Sequence, residues 1–241
     1  NTICASWQNG SCVRSSDAGA TWTVIPSSFP SGSLVNGIEF LNSTTGFAAG
    51  SAGTFSRTTD GGLTWTSLGT TQVDWSYFQV KVVSATEIYV VGDPTYLYRS
   101  SDMGNTWTPL AVNVTGPAVT FVWYSLDHFG STYTLSGDYG QVAVSTDGCL
   151  TWTTPGYTQL SNSLLNDITT VSGTSKYWAV GRAFPNGGSN KQILYSSNSG
   201  SSWTTQNAGI TADFTSISMI NENTGYISGT NNKVMKTTDG G

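Results

Sequence analysis

The sequence predicts an all-β fold built from repeated four-stranded units, and three observations carry this prediction. One nonamer pattern recurs six times, most copies follow an apolar segment that ends in glycine, and the composition suits short strands. The 241 residues include 28 glycines and 9 tryptophans, but only 10% are charged, compared with about a quarter in typical soluble domains. Glycine supplies turn conformations and aromatic side chains supply core, so tight turns between many short strands are expected.

The nonamer carries an acid at its fourth position and a tryptophan at its ninth. Full copies occupy residues 14–22, 57–65, 99–107, 144–152 and 195–203, and a sixth copy stops at residue 241. The fourth position holds Asp17, Asp60, Asp102, Asp147, Asn198 and Asp239, so successive copies lie 43, 42, 45, 51 and 41 residues apart. A repeat of about 40–45 residues with four short strands has the size of a β-propeller blade.

The repeats therefore predict a single β-propeller domain over residues 1–241, with six four-stranded blades, or seven as the alternative. Each blade runs from strand a to strand d, and the nonamer forms the hairpin between strands c and d. The first copy lacks a strand a and the last stops inside its nonamer, so the N-terminal and C-terminal blades are expected to be incomplete. On this ground we expect the sequence to be a piece of a longer chain.

The chemistry of the nonamer indicates a structural turn instead of a reactive site. The acid can accept hydrogen bonds from backbone N–H groups of its own turn, and a glycine two residues later can adopt a positive φ. The tryptophan offers a large apolar surface to a neighbouring blade. We therefore expect the fourth-position residues to form turns and the ninth-position residues to pack between blades; the latter are Trp22, Trp65, Trp107, Trp152 and Trp203.

The nonamer resembles the Asp-box, or BNR repeat, with the pattern S/T-x-D-x-G-x-T-W, and its copies run along the whole chain. The superfamily with this repeat includes sialidases, sortilin-type receptors, xyloglucan-active glycosidases and photosystem II assembly and stability factors. The spacing and the G-F/Y-x-x-G strands, such as GFAAG ending at Gly50, are most similar to the last group. The resemblance implies a β-propeller, but function has to be argued from sites because one scaffold carries many functions.

A basic residue stands three positions before the acid in four copies. These residues, called the basic arc below, are Arg14, Arg57, Arg99 and Lys236. In a closed six-bladed ring the four copies would be contiguous, and the arc would lie on one face of an acidic protein. Such an arc is a candidate surface for docking an acidic protein partner. We favour the alternative from the sequence, in which each aliphatic stem lies on a neighbouring tryptophan, with cation–π support.

The fifth copy carries an insertion of seven residues within Arg182–Asn190. It is expected to form a protruding loop between strands b and c, on the face opposite the nonamers. Long loops often carry binding residues, so Arg182 and Phe184 are candidate ligand contacts.

Three carboxylates fall in the connections between strands d and a, on the same face as that loop: Asp74, Asp167 and Asp213. Trp75, next to Asp74, offers an aromatic surface for a sugar ring. Because glycosidases use two carboxylates that flank the sugar, a glycan-binding or glycoside-hydrolysing propeller is one alternative function.

The cysteines and the N-glycosylation patterns indicate the cellular compartment of the protein. Cys4 and Cys12 flank a short turn and are predicted to form a disulfide, which leaves Cys149 free or bonded to another chain. Asn42 and Asn113 begin N-glycosylation patterns. Together these features favour a secreted glycoprotein, with an organelle lumen such as the thylakoid, or the periplasm, as alternatives.

The composition of the chain limits the classes of protein to which it could belong. A net charge of −5 and a pI near 4.6 argue against nucleic-acid binding, and no apolar run approaches the about 20 residues of a membrane span. Neither a metal site nor a cofactor is predicted. The sequence therefore predicts a non-catalytic, secreted or lumenal scaffold for protein binding and assembly, with a lumenal photosystem II assembly-factor-like protein as the second alternative.

Overall fold

The computed structural model describes residues 2–6, 11–25, 29, 34–68, 76–93, 96–114, 122–155, 163–183, 193–210 and 212–241. These residues form an all-β fold, which confirms the predicted class; their only helical element is one 3-10 turn at Asp138–Gly140. The chain divides into two compact units, Asn1–Ala111 and Val112–Gly241. Each unit contains three of the repeats.

Unit 1 consists of three antiparallel sheets whose strands follow chain order. The first sheet contains β1 (Ile3–Ser6), β2 (Cys12–Ser15) and β3 (Thr23–Ile25). The second contains β4 (Val35–Phe40), β5 (Gly46–Gly50), β6 (Phe55–Thr58) and β7 (Thr66–Ser67). The third contains β8 (Tyr77–Ser84), β9 (Glu87–Gly92), β10 (Tyr96–Ser100) and β11 (Thr108–Ala111). Each nonamer joins the last two strands of its sheet.

Unit 2 repeats this organisation. Its first sheet contains β12 (Trp123–Phe129), β13 (Thr132–Gly137) and β14 (Val142–Ser145). The second contains β15 (Ser163–Thr170), β16 (Tyr177–Ala183), β17 (Ile193–Ser196) and β18 (Thr204–Gln206). The third contains β19 (Phe214–Met219), β20 (Gly225–Gly229) and β21 (Lys233–Thr237). Except in the fourth repeat, the described strands therefore match the three- and four-stranded units that the repeats predict.

In the fourth repeat, the predicted fourth strand is reduced to one bridge between Val144 and Thr153. These two residues exchange both backbone hydrogen bonds, at 2.8 and 2.9 Å. The next hydrogen-bonded pair in an antiparallel ladder lies two residues further on, where Pro155 has no N–H to donate. Pro109 is tolerated in β11, because it lies opposite Tyr98, one residue from the Arg99–Thr108 pair. The fourth strand therefore stops where the proline falls at a hydrogen-bonded position, and it continues where the proline falls between two such positions.

A glycine at or near the end of the second strand lies against a β-bulge in the first strand. In the second repeat, Val35 pairs with Gly50, and the register shifts before Gly37. A Cβ atom on Gly50 would lie 1.9 Å from the carbonyl oxygen of Leu34, which accepts the Ser51 N–H at 2.8 Å. The equivalent distances at Gly92, Gly137, Gly181 and Gly229 are 2.3, 2.3, 1.8 and 2.6 Å. Close backbone approach thus explains the glycine of the G-F/Y-x-x-G pattern.

The first strands of neighbouring repeats lie side by side within each unit. We call the contact between two neighbouring repeats a seam. β4 contacts β8 in unit 1, and β15 contacts both β12 and β19 in unit 2. An asparagine at the bulge crosses two of these three seams: Asn36 Nδ2 donates to Tyr77 O at 2.8 Å, and Asn166 Nδ2 donates to Phe214 O at 2.6 Å. Apolar clusters fill the space between the sheets, so the seams are the cores of the two units.

The disulfide predicted between Cys4 and Cys12 is not formed, because both residues are free cysteines. Cys4 lies opposite Arg14, and Cys12 lies opposite Ser6, so the two cysteines are diagonal neighbours. Diagonal partners are about 7–8 Å apart, beyond the reach of an unstrained disulfide. Burial raises the pKa of the Cys4 thiol to about 11. Cys149 forms no disulfide within the described part of the chain, and it is buried.

Candidate functional site

Each nonamer turn is closed by its own acid, and Asp102 shows the geometry. Its Oδ1 accepts hydrogen bonds from Thr106 N–H at 2.8 Å and from the Ser100 hydroxyl at 2.8 Å, and its Oδ2 accepts the Thr106 hydroxyl at 2.6 Å. The Ser100 hydroxyl in turn accepts the Gly104 N–H at 2.8 Å. These bonds, with the two from Thr106 foremost, lower the pKa of Asp102 to about 2. The carboxylate is therefore ionised at neutral pH, and it is hydrogen-bonded to groups of its own turn.

The other nonamers use the same position in the same way. The pKa is also lowered to about 2 in the three acids that bind the threonine four residues later, Asp17, Asp60 and Asp147. Asn198 keeps the geometry as an amide, since its Oδ1 accepts Ser202 N–H and its Nδ2 donates to the Ser202 hydroxyl, both at 2.9 Å. Asp239 accepts the Thr237 hydroxyl at 2.8 Å and Gly241 N–H at 3.1 Å. The fourth position therefore supplies turn geometry in all six copies.

Within each unit, a nonamer tryptophan packs beside the third strand of the preceding repeat. In unit 1 the contacted residue begins that strand, since Trp65 packs on the cluster of Cys12 and Trp107 on Phe55. In unit 2, Trp203 belongs to the same apolar cluster as Val142 and Val144. The rings of Trp107 and Phe55 meet edge to face, with centroids 4.6 Å apart. Trp152 is buried as well, whereas Trp22 is 47% exposed. We call the groove that receives such a ring a tryptophan seat.

Two residues of the basic arc cross the seams of unit 1. Arg14 Nε donates to Gly61 O at 2.7 Å, and Arg57 Nη1 donates to Met103 O at 2.9 Å. Gly61 and Met103 each follow the acid of the next nonamer, so the two bonds are equivalent. We call the accepting oxygen the seam carbonyl. Both arginines are partly buried, and each is attached to the neighbouring repeat.

The other two residues of the arc have contacts within their own sheets. Arg99 Nε lies 3.8 Å from Glu87 Oε1, and its side chain is 43% exposed. Lys236 lies over the Tyr226 ring, with its Nζ 5.9 Å from the ring centroid. Neither of these contacts is with a nonamer tryptophan, which the alternative interpretation of the sequence expected. The docking role of the arc stays a prediction.

Asp167 lies at the bulge of β15, where protein surrounds its carboxylate. Oδ1 accepts the Ser125 hydroxyl at 2.7 Å and Ile168 N–H at 2.9 Å, while Oδ2 accepts the Ser216 hydroxyl at 2.8 Å and Ile217 N–H at 2.9 Å. Burial raises the pKa of Asp167, and these bonds oppose that rise. The carboxylate thus connects the first strands of three consecutive repeats.

The remaining candidates on this face are not brought together by the described residues. Asp213 is exposed just before β19, and Arg182 is exposed on β16 opposite Leu164. Asp74, Trp75 and Phe184 lie outside the described residues, as does most of the insertion. The pairing of carboxylates expected of a glycosidase therefore stays a prediction.

Both predicted glycosylation residues are exposed. Asn42 Oδ1 accepts the N–H groups of Thr44 and Thr45 at 3.0 and 2.8 Å, and Asn113 follows β11. The described part of the chain contains no group of three or more His, Cys, Asp or Glu that could hold a metal ion. Among the same residues, no helix is long and apolar enough to cross a membrane.

Sequence reasoning missed a pair of acids that join first strands. Glu39 Oε2 accepts Val82 N–H at 2.6 Å, and Asp127 Oδ2 accepts Thr170 N–H at 2.7 Å. The two acids occupy equivalent positions, two residues beyond the bulge, so aligning the first strands of the repeats would have revealed them. A cavity beside β21 was also missed.

Comparisons with solved structures show a β-propeller fold. YCF48 from Cyanidioschyzon merolae is 17% identical, with a TM-score of 0.69 over 91% of this chain and 71% of that chain. A structure of YCF48 bound to D1 peptide is 16% identical, with a TM-score of 0.54 over 89% of this chain and 81% of the other. The GH74 enzyme of Niastella koreensis is 19% identical, with a TM-score of 0.74 over 99% of this chain but 43% of the enzyme.

Sequence comparison identifies the family. A search of curated proteins finds no match. The family model described as photosynthesis system II assembly factor YCF48 matches residues 14–156, which is more than half of the chain and includes four nonamers. By this match the chain belongs to the photosynthesis system II assembly factor YCF48 family.

Proposed function

We propose that this protein is a non-catalytic β-propeller scaffold that binds an acidic segment of a protein partner, in the manner of an assembly factor. The observation that carries the proposal is the family match over residues 14–156, because that region contains Arg14, Arg57 and Arg99. These three residues occupy the same strand position in the three consecutive repeats of unit 1. The arc therefore offers three guanidinium groups at a regular spacing.

Guanidinium groups suit this role because each carries five N–H donors in a planar fork. Arg14 and Arg57 each direct one nitrogen to a seam carbonyl, and that bond fixes the position of the group. A positioned guanidinium loses less side-chain entropy when it binds a carboxylate, so affinity increases. Arg99, which is more exposed, supplies a third charge.

The acids of the nonamers support a non-catalytic role. They are ionised, hydrogen-bonded within their own turns and separated by whole repeats. Asp167 is enclosed by four donors. Of the three acids considered for a glycosidase, Asp213 is the one that is both described and exposed. Hydrolysis of xyloglucan by the protein, lost in Asp213→Asn, would overturn the non-catalytic proposal.

The compartment belongs to the proposal as well. We propose a secreted or lumenal location, with exposed Asn42 and Asn113 as the sites that separate the alternatives. Intact mass before and after deglycosylation distinguishes a glycosylated extracellular protein from a thylakoid-lumen or periplasmic one, because only the first would lose mass.

Titration of D1 peptide into the protein tests the function, with calorimetry as the measurement. Arg57→Gln with Arg99→Gln removes two charges and keeps polar side chains, and we expect the affinity to fall about tenfold or more, since hydrogen bonds to charged groups contribute about 1.5–3 kcal/mol each. Lys233→Gln is the matched control, because it removes an exposed charge outside the arc. Equal affinity of the double variant and the wild type would refute docking on the arc. Failure of the peptide to bind at all would refute the assembly-factor role.

A further inference from the structure

The first repeat places two cysteine thiols in its seam with the second repeat. Cys4 Sγ lies 3.8 Å from Gly61 O, and Cys12 Sγ lies 4.0 Å from Gly62 O. These two oxygens belong to consecutive residues of the second nonamer. Cys4 and Cys12 are diagonal neighbours, so their side chains project from the same face of the first sheet. Both sulfur atoms therefore approach one short segment of the neighbouring turn.

The equivalent positions of the second repeat carry two aromatic side chains that contact each other. Cys4 lies opposite the residue of the basic arc, and Cys12 stands two residues before that residue. In the second repeat Phe47 lies opposite Arg57, and Phe55 stands two residues before it. The rings of Phe47 and Phe55 stack with their centroids 6.0 Å apart. The two positions thus face each other, and in the first repeat alone both carry a thiol.

A shared metal ion fits the separation of Cys4 and Cys12 better than a disulfide does. Diagonal neighbours are about 7–8 Å apart, whereas a disulfide requires Cα atoms within about 7 Å and sulfur atoms about 2 Å apart. Two metal–sulfur bonds of about 2.3 Å each hold the sulfur atoms up to about 4.6 Å apart. This longer link spans a diagonal pair without displacement of either strand. Cys12 is fully buried and Cys4 is half-buried, so protein would enclose the ion, and Cys4 is the side from which it enters.

The donor set selects a soft ion of low coordination number. Thiolates favour Cu(I) among the metal ions of proteins, and Cu(I) is satisfied by two of them in a linear arrangement. Structural zinc takes four ligands, but the described residues contain no group of three or more His, Cys, Asp or Glu. One Cu(I) with two thiolates carries a single negative charge. The Arg14 guanidinium lies beside the thiols, because its Nε donates at 2.7 Å to the same Gly61 O that Cys4 contacts.

We propose that Cys4 and Cys12 form a binding site for one Cu(I) ion in the seam between the first and second repeats. Each thiol loses its proton to water and forms one Cu–S bond, and the copper keeps its oxidation state. The positive charge of Arg14 compensates the negative charge of the complex. The site goes beyond the proposed docking function, because neither cysteine belongs to the basic arc.

Anaerobic titration of the 241-residue chain with Cu(I), in competition with the chelator bicinchoninate, tests the proposal. We expect one bound copper per chain. Cys4→Ser should weaken binding at least about a hundredfold, because loss of a group that only supports a metal ligand already costs about 10–100-fold. Cys149→Ser is the matched control, since it removes the third cysteine and leaves the pair intact, and it should bind as the wild type does. Arg14→Gln should weaken binding about tenfold, because it removes the compensating charge.

Folding and coordination are measured on the same samples. Cys4 is half-buried and serine is close to it in size, so circular dichroism of Cys4→Ser should match the wild type, and Cys4→Ala is the second variant. X-ray absorption at the copper edge should show two sulfur ligands. Unchanged affinity in both Cys4 variants, loss of copper in Cys149→Ser, other coordination, or failure of the wild type to take copper from bicinchoninate would overturn the proposal. Unchanged affinity in Arg14→Gln would overturn the charge compensation.

Discussion

Replacing Gly50 by alanine would place a methyl group 1.9 Å from the carbonyl oxygen of Leu34 and 2.9 Å from Val35 Cα. Because Cβ contacts below 3.0 Å are essentially never seen, the oxygen would have to retreat by about 1 Å. The hydrogen bond from Ser51 N–H, now 2.8 Å, would stretch beyond bonding distance. The bulge that positions the first strand would therefore be displaced.

The expected cost combines two contributions. Overpacking typically costs about 1–3 kcal/mol, and loss of the hydrogen bond adds about 1 kcal/mol, so the free energy of unfolding should fall by about 2–4 kcal/mol. Urea unfolding followed by tryptophan fluorescence measures it, provided that the m-value is unchanged. A change of this size would lower the Tm by about 10 °C in a domain of this length.

Gly130→Ala is the matched control for this experiment. No atom lies within 4 Å of a Cβ at Gly130, but its φ is +58°, so this change reports backbone strain alone, about 1–2 kcal/mol. If Gly50→Ala were no more destabilising than Gly130→Ala, close backbone approach could not be the reason for the glycine.

Three further perturbations test the turns and seams. Trp107→Ala empties a tryptophan seat and should lower the free energy of unfolding, measured with urea, by about 3 kcal/mol. Trp22 is 47% exposed, so Trp22→Ala should lower it much less. Equal losses in the two variants would contradict the packing argument. The folded pKa of Asp102 is lowered from 3.8 to about 2, so its stabilisation is present above pH 4 and is lost as pH falls from 4 to 2. Asp102→Asn should flatten this loss in the urea midpoints, and an unchanged pH dependence would contradict the role of the carboxylate in the turn. Asp167→Ala leaves two hydroxyls and two N–H groups without their acceptor and should cost about 2–4 kcal/mol, with faster amide exchange at Ile168 and Ile217 than elsewhere in β15 and β19 if the carboxylate joins these strands.

Local patterns in the sequence predicted most of the fold. The six nonamers and the glycine-ended strands specify hairpins whose geometry depends on residues a few positions apart, and the structure contains those hairpins. The reduction of the fourth strand of the fourth repeat to one bridge was not predicted, because Pro155 matters only once it is known which pairs are hydrogen-bonded. The Cys4–Cys12 disulfide was wrong for a related reason, since the β1–β2 register sets those residues two positions out of step.

The candidate sites were harder to predict because their contacts cross from one repeat to the next. Asp167 resembles a solvated acid in the sequence, yet its partners Ser125 and Ser216 lie 42 and 49 residues away. Aligning the first strands would have placed all three at one position beside the bulge, with Gly37 and Gln79 as their counterparts. The spacing of the repeats predicts which residues are equivalent, but it does not show that equivalent residues contact one another.

The seam carbonyl accepts a hydrogen bond from arginine in unit 1, but it does not require arginine. Arg14 and Arg57 satisfy this carbonyl in unit 1. Where the fifth repeat has Tyr195 in the arginine position, Trp178 Nε1 and Gln206 Nε2 donate to Gly240 O, the equivalent oxygen, each at 3.0 Å. Neutral donors therefore suffice for the seam, and a positive charge is not required by the architecture. The arginines at this position in three successive repeats are therefore not explained by the seam alone, which leaves them available for the proposed docking of an acidic segment.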